Sequence, residues 1–282
     1  MIGLFDSGHG GLTVQRVLEK RFPLRDFVYL GDHRQAPYGA KSAEHVLALT
    51  RRGVERLFDE GCRLVIIACN SAAAIALRRL QQDWLARFYP EHRILGVIVP
   101  VVEAVTQVPW SVQEADPNHA GEPMTVGVFG TRHTVKSDAF RIEISKRAPA
   151  VSVVQQACPK LAGAIEADAS ESELSALVER YAAALSESLG ERRLDAVVLG
   201  CTHYPLVGNL FERSLPRGVK MVSQPDLVTE SLAAYLRRHP EFDRPSAEPS
   251  SRRRDFLTSG DPDLVGRIAQ RFLGHPVVFR AA

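Results

Sequence analysis

The amino-acid sequence predicts an α/β fold of two similar three-layer domains, each with a mostly parallel sheet covered by helices. Short apolar runs rich in β-branched residues alternate with longer segments whose apolar residues recur at helical spacing, which is typical of βαβ units. The order strand, sharp turn, helix, strand and cysteine also occurs twice along the chain. The two domains should therefore be related by a pseudo-two-fold axis, with a ligand site in the cleft between them.

The apolar runs are predicted to be strands because each is too short for a helix. They span residues 2–5, 27–30, 64–68, 94–99, 125–130, 151–155 and 196–200. The segments with helical periodicity are 12–22, 42–61, 72–88, 133–148 and 170–190. Gly61 and Gly190 stand where two of these helices should end, since glycine closes helices readily.

Three further segments complete the predicted chain. Residues 111–123 are polar and carry proline and glycine, so we expect a surface loop. Residues 239–255 are rich in proline, serine and arginine, which is typical of a mobile connector. Residues 255–280 have the pattern strand, helix, strand and should close the fold.

Each half of the repeat carries a cysteine at the carboxyl end of a strand. Cys69 in LVIIACNSAAA and Cys201 in AVVLGCTHYPL both stand where a strand turns into a helix. Helix N-termini favour the reactive thiolate form of cysteine. A pair of small buried core cysteines is the alternative, but the matching contexts favour two facing thiols. Cys62 is expected to be a core cysteine, and for Cys158 both interpretations stay open.

Hydroxyl and amide side chains cluster near the same predicted strand ends. They are Ser7, Asn70, Ser71, Thr131 and Thr202. Each could be a helix N-cap, yet together with backbone N–H groups they suit the carboxylates of a small molecule. The Gly-rich turn at residues 6–11 lacks the spacings of nucleotide-binding loops. His203 is either a partner of Cys201 or an ordinary histidine, and the loop with Tyr38 is either a surface turn or a lid.

Composition bounds the class of protein. Of 282 residues, 45% are hydrophobic and 24% are charged, which allows a sizeable globular core. The net charge of +2 gives no indication of nucleic-acid binding. No apolar run is long enough for a membrane span and the start of the chain lacks an export signal, so we expect a cytoplasmic protein with reduced thiols. Because no Cys-x-x-Cys pair occurs, a structural zinc site is not expected.

Several segments together resemble the cofactor-independent aspartate/glutamate racemase family, most closely the members that act on glutamate. The resembling segments are FDSGHGGLTV (5–14), GDHRQAPYG (31–39), ACNSAAA (68–74), GVIVPVVEA (96–104), VGVFGTRHTVKS (126–137), ACPKLAGAIEAD (157–168) and LGCTHYPLV (199–207). They span nearly the whole chain in the order that the family has, so the resemblance is specific although each segment alone is modest.

The resemblance implies a reaction at the α-carbon of an amino acid without pyridoxal phosphate, metal or other cofactor. Cys69 and Cys201 would remove and return the α-proton from opposite faces, supported by Asp6, His203 and Glu166 as further acids or bases. The residues implied to hold the amino acid are Asp6, Ser7, Tyr38, Gly39, Asn70, Ser71, Thr131, Thr202 and His203.

The resemblance also implies the substrate and the domain arrangement. L- and D-glutamate would be interconverted, with D-glutamate supplied to peptidoglycan synthesis, and the chain could form a homodimer. Neither nucleic acid nor a membrane is implied as a partner. The first domain would comprise residues 1–97 and 208–282, and the second residues 98–207.

A few positions depart from the family pattern. Ser71 keeps the hydroxyl of the usual threonine, whereas Ala73, the AGAI run at 162–165 and the Ser223–Gln224 pair are less conservative. They leave the substrate side chain open, so another amino acid such as aspartate is one alternative. A binding or regulatory relative without turnover is a second, whereas a single-cysteine decarboxylase is disfavoured by the two cysteine motifs.

Overall fold

The computed structural model describes residues 1–110, 123–243 and 253–282 and contains two sheets. One sheet has six strands in the order β10-β9-β2-β1-β3-β4, and the other has four in the order β6-β5-β7-β8. Their bounds are β1 (Ile2–Asp6), β2 (Phe27–Gly31), β3 (Leu64–Ile67), β4 (Arg93–Gly96), β5 (Met124–Gly130), β6 (Val151–Ala157), β7 (Ala196–Gly200), β8 (Lys220–Val222), β9 (Arg254–Thr258) and β10 (Phe279–Ala281).

Neighbouring strands pair in parallel throughout the described parts of both sheets. Parallel strands require crossover connections, which the alternating helices supply. The central strands β1, β3 and β7 are buried along their whole length, in agreement with their continuous apolar runs. The α/β fold with parallel sheets is therefore confirmed.

Helices connect the strands of both sheets. They are α1 (Leu12–Arg21), α2 (Ala43–Asp59), α3 (Asn70–Ala72), α4 (Ala86–Phe88), α5 (Ile98–Thr106), α6 (Arg132–Lys136), α7 (Ala139–Arg147), α8 (Leu161–Glu166), α9 (Glu171–Leu189), α10 (Gly208–Ser214), α11 (Gln224–Arg238) and α12 (Pro262–Leu273). Ser42 and Ser170 accept hydrogen bonds from backbone N–H groups in the first turns of α2 and α9. Gly61 and Gly190 follow the same helices with φ of +90° and +61°, as predicted.

Two predicted elements differ from the structure. The predicted strand 94–99 ends at Gly96, and α5 begins at Ile98. Pro100 explains this, because proline lacks the N–H that a strand needs but fits the first turn of a helix. The predicted helix 133–148 is two helices, α6 and α7, separated at Asp138, whose φ is +55°.

The helix after Cys69 is longer than predicted and irregular. It begins as α3, continues through π-helical turns at Ala73–Leu77 and Leu80–Leu85, and ends as α4. The C-terminal strand, helix and strand are β9, α12 and β10, as predicted. Most of the expected 111–123 loop, and residues 244–252 of the expected connector, lie outside the described residues.

The division into two domains stays a prediction, and strand pairing bears on one of its bounds. β8 lies beyond residue 207, yet it pairs with β7 of the four-stranded sheet. In the six-stranded sheet, β9 pairs with β2, so the C-terminal segment joins the N-terminal strands. We therefore propose that the second domain continues to about residue 222.

Candidate active site

Strand register places the predicted site residues at two sheet edges. In the first sheet Phe5 lies opposite Ile67, so Asp6 and Cys69 emerge at the same carboxyl edge. In the second sheet Gly130 lies opposite Gly200, so Thr131 and Cys201 are the first residues beyond that edge. These are the strand ends at which open α/β sheets bind ligands.

Cys201 faces an imidazole that is backed by a carboxylate. His203 Nδ1 lies 3.7 Å from Cys201 Sγ, and His203 Nε2 lies 2.9 Å from Glu166 Oε1. The turn after β7 brings the histidine back beside the thiol, and α8 ends at Glu166. The result is a carboxylate–imidazole–thiol chain in the order Glu166, His203, Cys201.

The electrostatics of this chain favour a charged histidine. Burial by itself lowers the pKa of His203, but the hydrogen bonds to Cys201 and Glu166 outweigh it and raise that pKa to about 10. Burial likewise opposes ionisation of Glu166, yet the hydrogen bonds from His203 and His9 hold its pKa well below the usual range. The His203 imidazolium therefore places a positive charge 3.7 Å from the Cys201 sulfur.

His9 is a part of this site that sequence reasoning missed. Its Nδ1 and its backbone nitrogen each lie 3.4 Å from Glu166 Oε1, and its Nε2 lies 3.2 Å from the Val265 carbonyl oxygen. Its ring stacks on Phe272 with centroids 5.4 Å apart. No local pattern in the turn at residues 6–11 indicates this contact, because Glu166 lies 157 residues further along the chain.

Cys69 lies in a different setting. Its Sγ is 3.4 Å from Ser7 Oγ, and both cysteines are nearly buried, with 6% of Cys69 and 5% of Cys201 exposed. Burial and the nearby Asp6 carboxylate raise the pKa of Cys69 to about 12, and Cys201 contributes in the same direction. The Cys69 thiol is therefore held in its protonated form.

Asp6 connects the two cysteine loops. Its carboxylate accepts hydrogen bonds from Gly8 N at 2.9 Å and from Thr202 Oγ1 at 3.4 Å. Burial raises the pKa of Asp6 to about 6, with the His203 charge opposing the increase. The turn that carries Asp6 approaches closely, since a Cβ on Gly10 would lie 2.2 Å from Thr202 Oγ1. Glycine is therefore required at that position.

The two sheet edges also touch through hydroxyl groups. Ser71 Oγ and Thr131 Oγ1 lie 2.8 Å apart and join the helix after Cys69 to the start of α6. Thr131 also accepts from the Thr134 N–H as the N-cap of α6, so its cap role and its place in the cleft coexist. Gly39 lies close to this contact, since a Cβ there would meet the Thr131 side chain at 3.5 Å.

Tyr38 and Asn70 are present at the cleft with their polar groups engaged. Tyr38 is buried, and its hydroxyl donates to Asp32 Oδ2 at 2.8 Å. Tyr38 therefore packs inward, although Ala40 in the same loop is exposed. Asn70 is buried beside Cys69 and exchanges hydrogen bonds with the side-chain amide of Gln224.

Comparison with known proteins decides the family. Residues 14–232 match the sequence profile of the Asp/Glu/hydantoin racemase family. The chain belongs to this family. The resemblance noted in its motifs is thereby confirmed.

Individual members of the family match over the whole chain. The chain is 44% identical to the glutamate racemase of Phenylobacterium zucineum, with 100% of this chain and 99% of the relative covered. The glutamate racemase isoform RacE1 of Bacillus anthracis superposes with a TM-score of 0.83 at 27% identity, covering 100% of this chain and 97% of that chain. The Francisella tularensis glutamate racemase in complex with D-glutamate superposes with a TM-score of 0.82 at 25% identity, covering 100% and 96%.

The two other cysteines of this family member lie outside the chain of contacts just described. Cys62 is fully buried, and burial raises its pKa to about 12, as expected of a core cysteine. Cys158 follows β6 at the same edge as Cys201, but its Sγ lies 3.7 Å from the Gln156 carbonyl oxygen and burial raises its pKa. Both are free thiols. The structure thus favours a structural role for Cys158.

A separate cavity of about 540 Å³ lies between α5, α7, α11 and the helix after Cys69. Within the described parts of the chain, none of the predicted site residues lines it. Ala73, one of the departures from the family pattern, lines this cavity.

No group of three or more His, Cys, Asp or Glu side chains in residues 1–110, 123–243 and 253–282 is arranged to hold a metal ion. Across the same ranges, no helix has both the length and the apolar character needed to cross a bilayer.

Proposed function

We propose that this protein is a glutamate racemase that interconverts L- and D-glutamate through Cys69 and Cys201. The observation that carries the proposal is a pair of buried thiols at matching strand ends, one beside a carboxylate and the other beside a protonated imidazole. The relatives named glutamate racemase at 44% identity over the whole chain support the choice of substrate.

Racemisation needs one base and one acid on opposite faces of the α-carbon. Before substrate binds, the charged His203 imidazole faces Cys201, while burial and Asp6 keep Cys69 protonated. The Cys201 thiolate takes the α-proton, so the carbon–hydrogen bond breaks and a sulfur–hydrogen bond forms. Cys69 then gives its proton to the opposite face of the carbanion and becomes the thiolate. The reverse reaction starts from this second state with the roles exchanged.

The α-proton of an amino acid is far less acidic than a thiol, so positioning and charge stabilisation must lower the barrier. Backbone N–H groups at the starts of α3 and α6, next to Cys69 and Thr131, can receive the substrate carboxylates. Ser7, Ser71 and Thr202 add neutral donors within the same cleft. Asp6, with a pKa of about 6, can take up or release a proton beside the Cys69 loop.

Access of glutamate requires the cleft to open, because both thiols are nearly buried and Ser71 contacts Thr131 across it. Separation of the two sheet edges at that contact would admit the substrate. Closure would then exclude water from the thiols and strengthen the electrostatic interactions with the carbanion. The hydroxyl pair would exchange its mutual hydrogen bond for bonds to the substrate.

The test is incubation with L-glutamate in heavy water, followed by NMR of the α-position and chiral analysis of the product. We expect deuterium at the α-carbon together with D-glutamate, and loss of D-glutamate formation in Cys69→Ser and Cys201→Ser. Cys62→Ser is the matched control and should keep activity, because Cys62 lies in the core. Exchange only into another amino acid, such as aspartate, would contradict glutamate as the substrate, and no exchange into any amino acid would contradict racemisation.

The remaining expectations belong to the same proposal. Supply of D-glutamate to peptidoglycan synthesis, a cytoplasmic location and a homodimer stay predictions, as does the lack of a nucleic-acid or membrane partner. Gel filtration with light scattering would determine the oligomeric state.

A further inference from the structure

Gln224 is a buried polar residue to which the reaction described above assigns no role. It is the first residue of α11, and only 1% of it is exposed. Its amide forms a reciprocal pair with Asn70: Asn70 Nδ2 donates to Gln224 Oε1 at 2.8 Å, and Gln224 Nε2 donates to Asn70 Oδ1 at 3.0 Å. Gln224 Nε2 also donates a hydrogen bond to the Val97 carbonyl oxygen at 3.4 Å.

These contacts define the orientation of both amides. The Val97 carbonyl oxygen can only accept, so the nitrogen of Gln224 must point toward it. That choice places Gln224 Nε2 against Asn70 Oδ1 and Gln224 Oε1 against Asn70 Nδ2. The Asn70 amide therefore cannot flip without placing like groups together in a site where 2% of Asn70 is exposed.

The pairing with Gln224 leaves part of the hydrogen-bonding capacity of the Asn70 side chain unused. An amide nitrogen has two donor hydrogens and an amide oxygen has two lone pairs. Gln224 uses one of each, and the described residues form no other hydrogen bond with the Asn70 side chain, so one donor and one acceptor stay available at the residue next to Cys69. A fixed amide with a free N–H suits a substrate carboxylate, and one with a free oxygen suits an ammonium group.

We propose that Gln224 is a positioning residue, which holds the Asn70 amide in one orientation for the bound amino acid. It does so from a distant part of the sequence, and its bond to Val97 ties α11 to the segment between β4 and α5. The inference rests on the proposed racemase activity and on the predicted contact of Asn70 with substrate. Gln224 itself acts through Asn70 and touches no reacting atom.

The test is a double-mutant cycle for racemisation of L-glutamate, made of Gln224→Met, Asn70→Ala and the double variant. Methionine keeps the length and volume of glutamine without its hydrogen bonds. We expect Gln224→Met to lower kcat/KM about 10-fold or more, mainly through KM, and to have less than about a threefold further effect once Asn70 is alanine. An effect that multiplies with that of Asn70→Ala would overturn the proposal, because it would show independent, structural roles.

A second variant and a control allow the inference to be tested even if Gln224→Met folds poorly. Gln224→Glu is isosteric and can still accept from Asn70, but it cannot donate to Asn70 or to Val97, so it should also raise KM. Ser223→Ala removes a hydroxyl that bonds only Asp226 at the exposed start of α11, and should stay within about twofold of the wild type. Kinetic constants equal to those of the wild type in both Gln224 variants would contradict the inference. A wild type that does not racemise glutamate would contradict the proposed function instead.

Discussion

The surroundings of Cys69 and Cys201 share one backbone arrangement but differ in chemistry. Cys69 and Cys201 each follow a buried parallel strand and precede a helical turn, at corresponding edges of their sheets. A hydroxyl and a nearby carboxylate surround the first thiol, whereas an imidazole backed by a carboxylate faces the second. In the proposed mechanism, a reaction that treats two mirror-image substrates alike therefore begins from two unlike cysteine sites. The difference would supply what one turnover needs, an acid on one side and a base on the other.

The largest effect should come from removing the positive charge of His203 beside Cys201. His203→Asn leaves a polar side chain beside the thiol but cannot carry a positive charge. We expect kcat/KM for both enantiomers to fall about 10²–10⁴-fold, the range of a lost acid–base group. Steady-state polarimetry measures it, and a loss below tenfold would show that Cys201 does not depend on the imidazolium.

Glu166→Gln should weaken the electrostatic difference between the two cysteine sites without abolishing it. The carboxylate accepts a hydrogen bond from His203 at 2.9 Å, and removing its charge costs about 1.5–3 kcal/mol, or about 10- to 100-fold in kcat/KM. The pKa of His203, raised to about 10 in the wild type, should fall toward its ordinary value. The activity loss at high pH should then begin at a lower pH, as a pH profile of kcat/KM would show. An unchanged basic limb would rule out this coupling.

His203 also gives the stability of the fold a pH dependence of definite sign. Its folded pKa lies above its unfolded value, so the stabilisation is complete below the unfolded pKa near 6.5 and is lost as pH rises through about 10. Glu166→Gln should weaken this decline. Urea unfolding at several pH values measures it.

Asp6→Asn tests the surroundings of Cys69 through the stability of the fold. Because the pKa of Asp6 rises from 3.8 to about 6 on burial, the folded state binds its proton more tightly than the unfolded state. Asp6 should therefore subtract up to about 3 kcal/mol from the free energy of unfolding as pH rises from about 4 to 6, a contribution that Asp6→Asn lacks. Above pH 7 the variant should be more stable than the wild type yet less active. The same pH dependence of stability in the wild type and in Asp6→Asn would contradict the claim that burial raises the pKa of Asp6.

The smallest effect is expected for Ser7→Ala. Ser7 Oγ lies 3.4 Å from Cys69 Sγ, and its hydrogen bond favours the thiolate of Cys69. Its loss should raise the pKa of Cys69 further and slow the direction in which Cys69 acts as base by about two- to tenfold. The ratio of initial rates from D- and L-glutamate under saturating substrate measures this. A change shared equally by both directions would indicate a packing effect.

Much of this arrangement could be predicted from the sequence, because it depends on local patterns. The apolar runs before Cys69 and Cys201 indicate buried strands, and polar residues after a parallel strand must meet at one sheet edge. The start of α5 was missed because ILGVIV continues the apolar run of β4, and only Pro100 indicates the helix.

What the sequence could not predict depends on long-range contacts. His9 meets Glu166 across 157 residues, and Asn70 meets Gln224 across 154. No periodicity relates such positions, so neither pair has a local signal. The different electrostatic surroundings of the two thiols have the same origin, since Asp6 acts on Cys69 and Glu166 acts on His203 through the folded structure.

The most direct test of the account is to determine which cysteine is the thiolate before substrate binds. Ultraviolet absorbance of thiolate at neutral pH can be compared between the wild type, Cys69→Ser and Cys201→Ser. Cys62 and Cys158 should stay silent, because burial raises the pKa of both. We predict that the thiolate signal at neutral pH is unchanged in Cys69→Ser, because burial and Asp6 keep the Cys69 thiol protonated. A loss of the signal in Cys69→Ser would contradict the difference between the two cysteine sites.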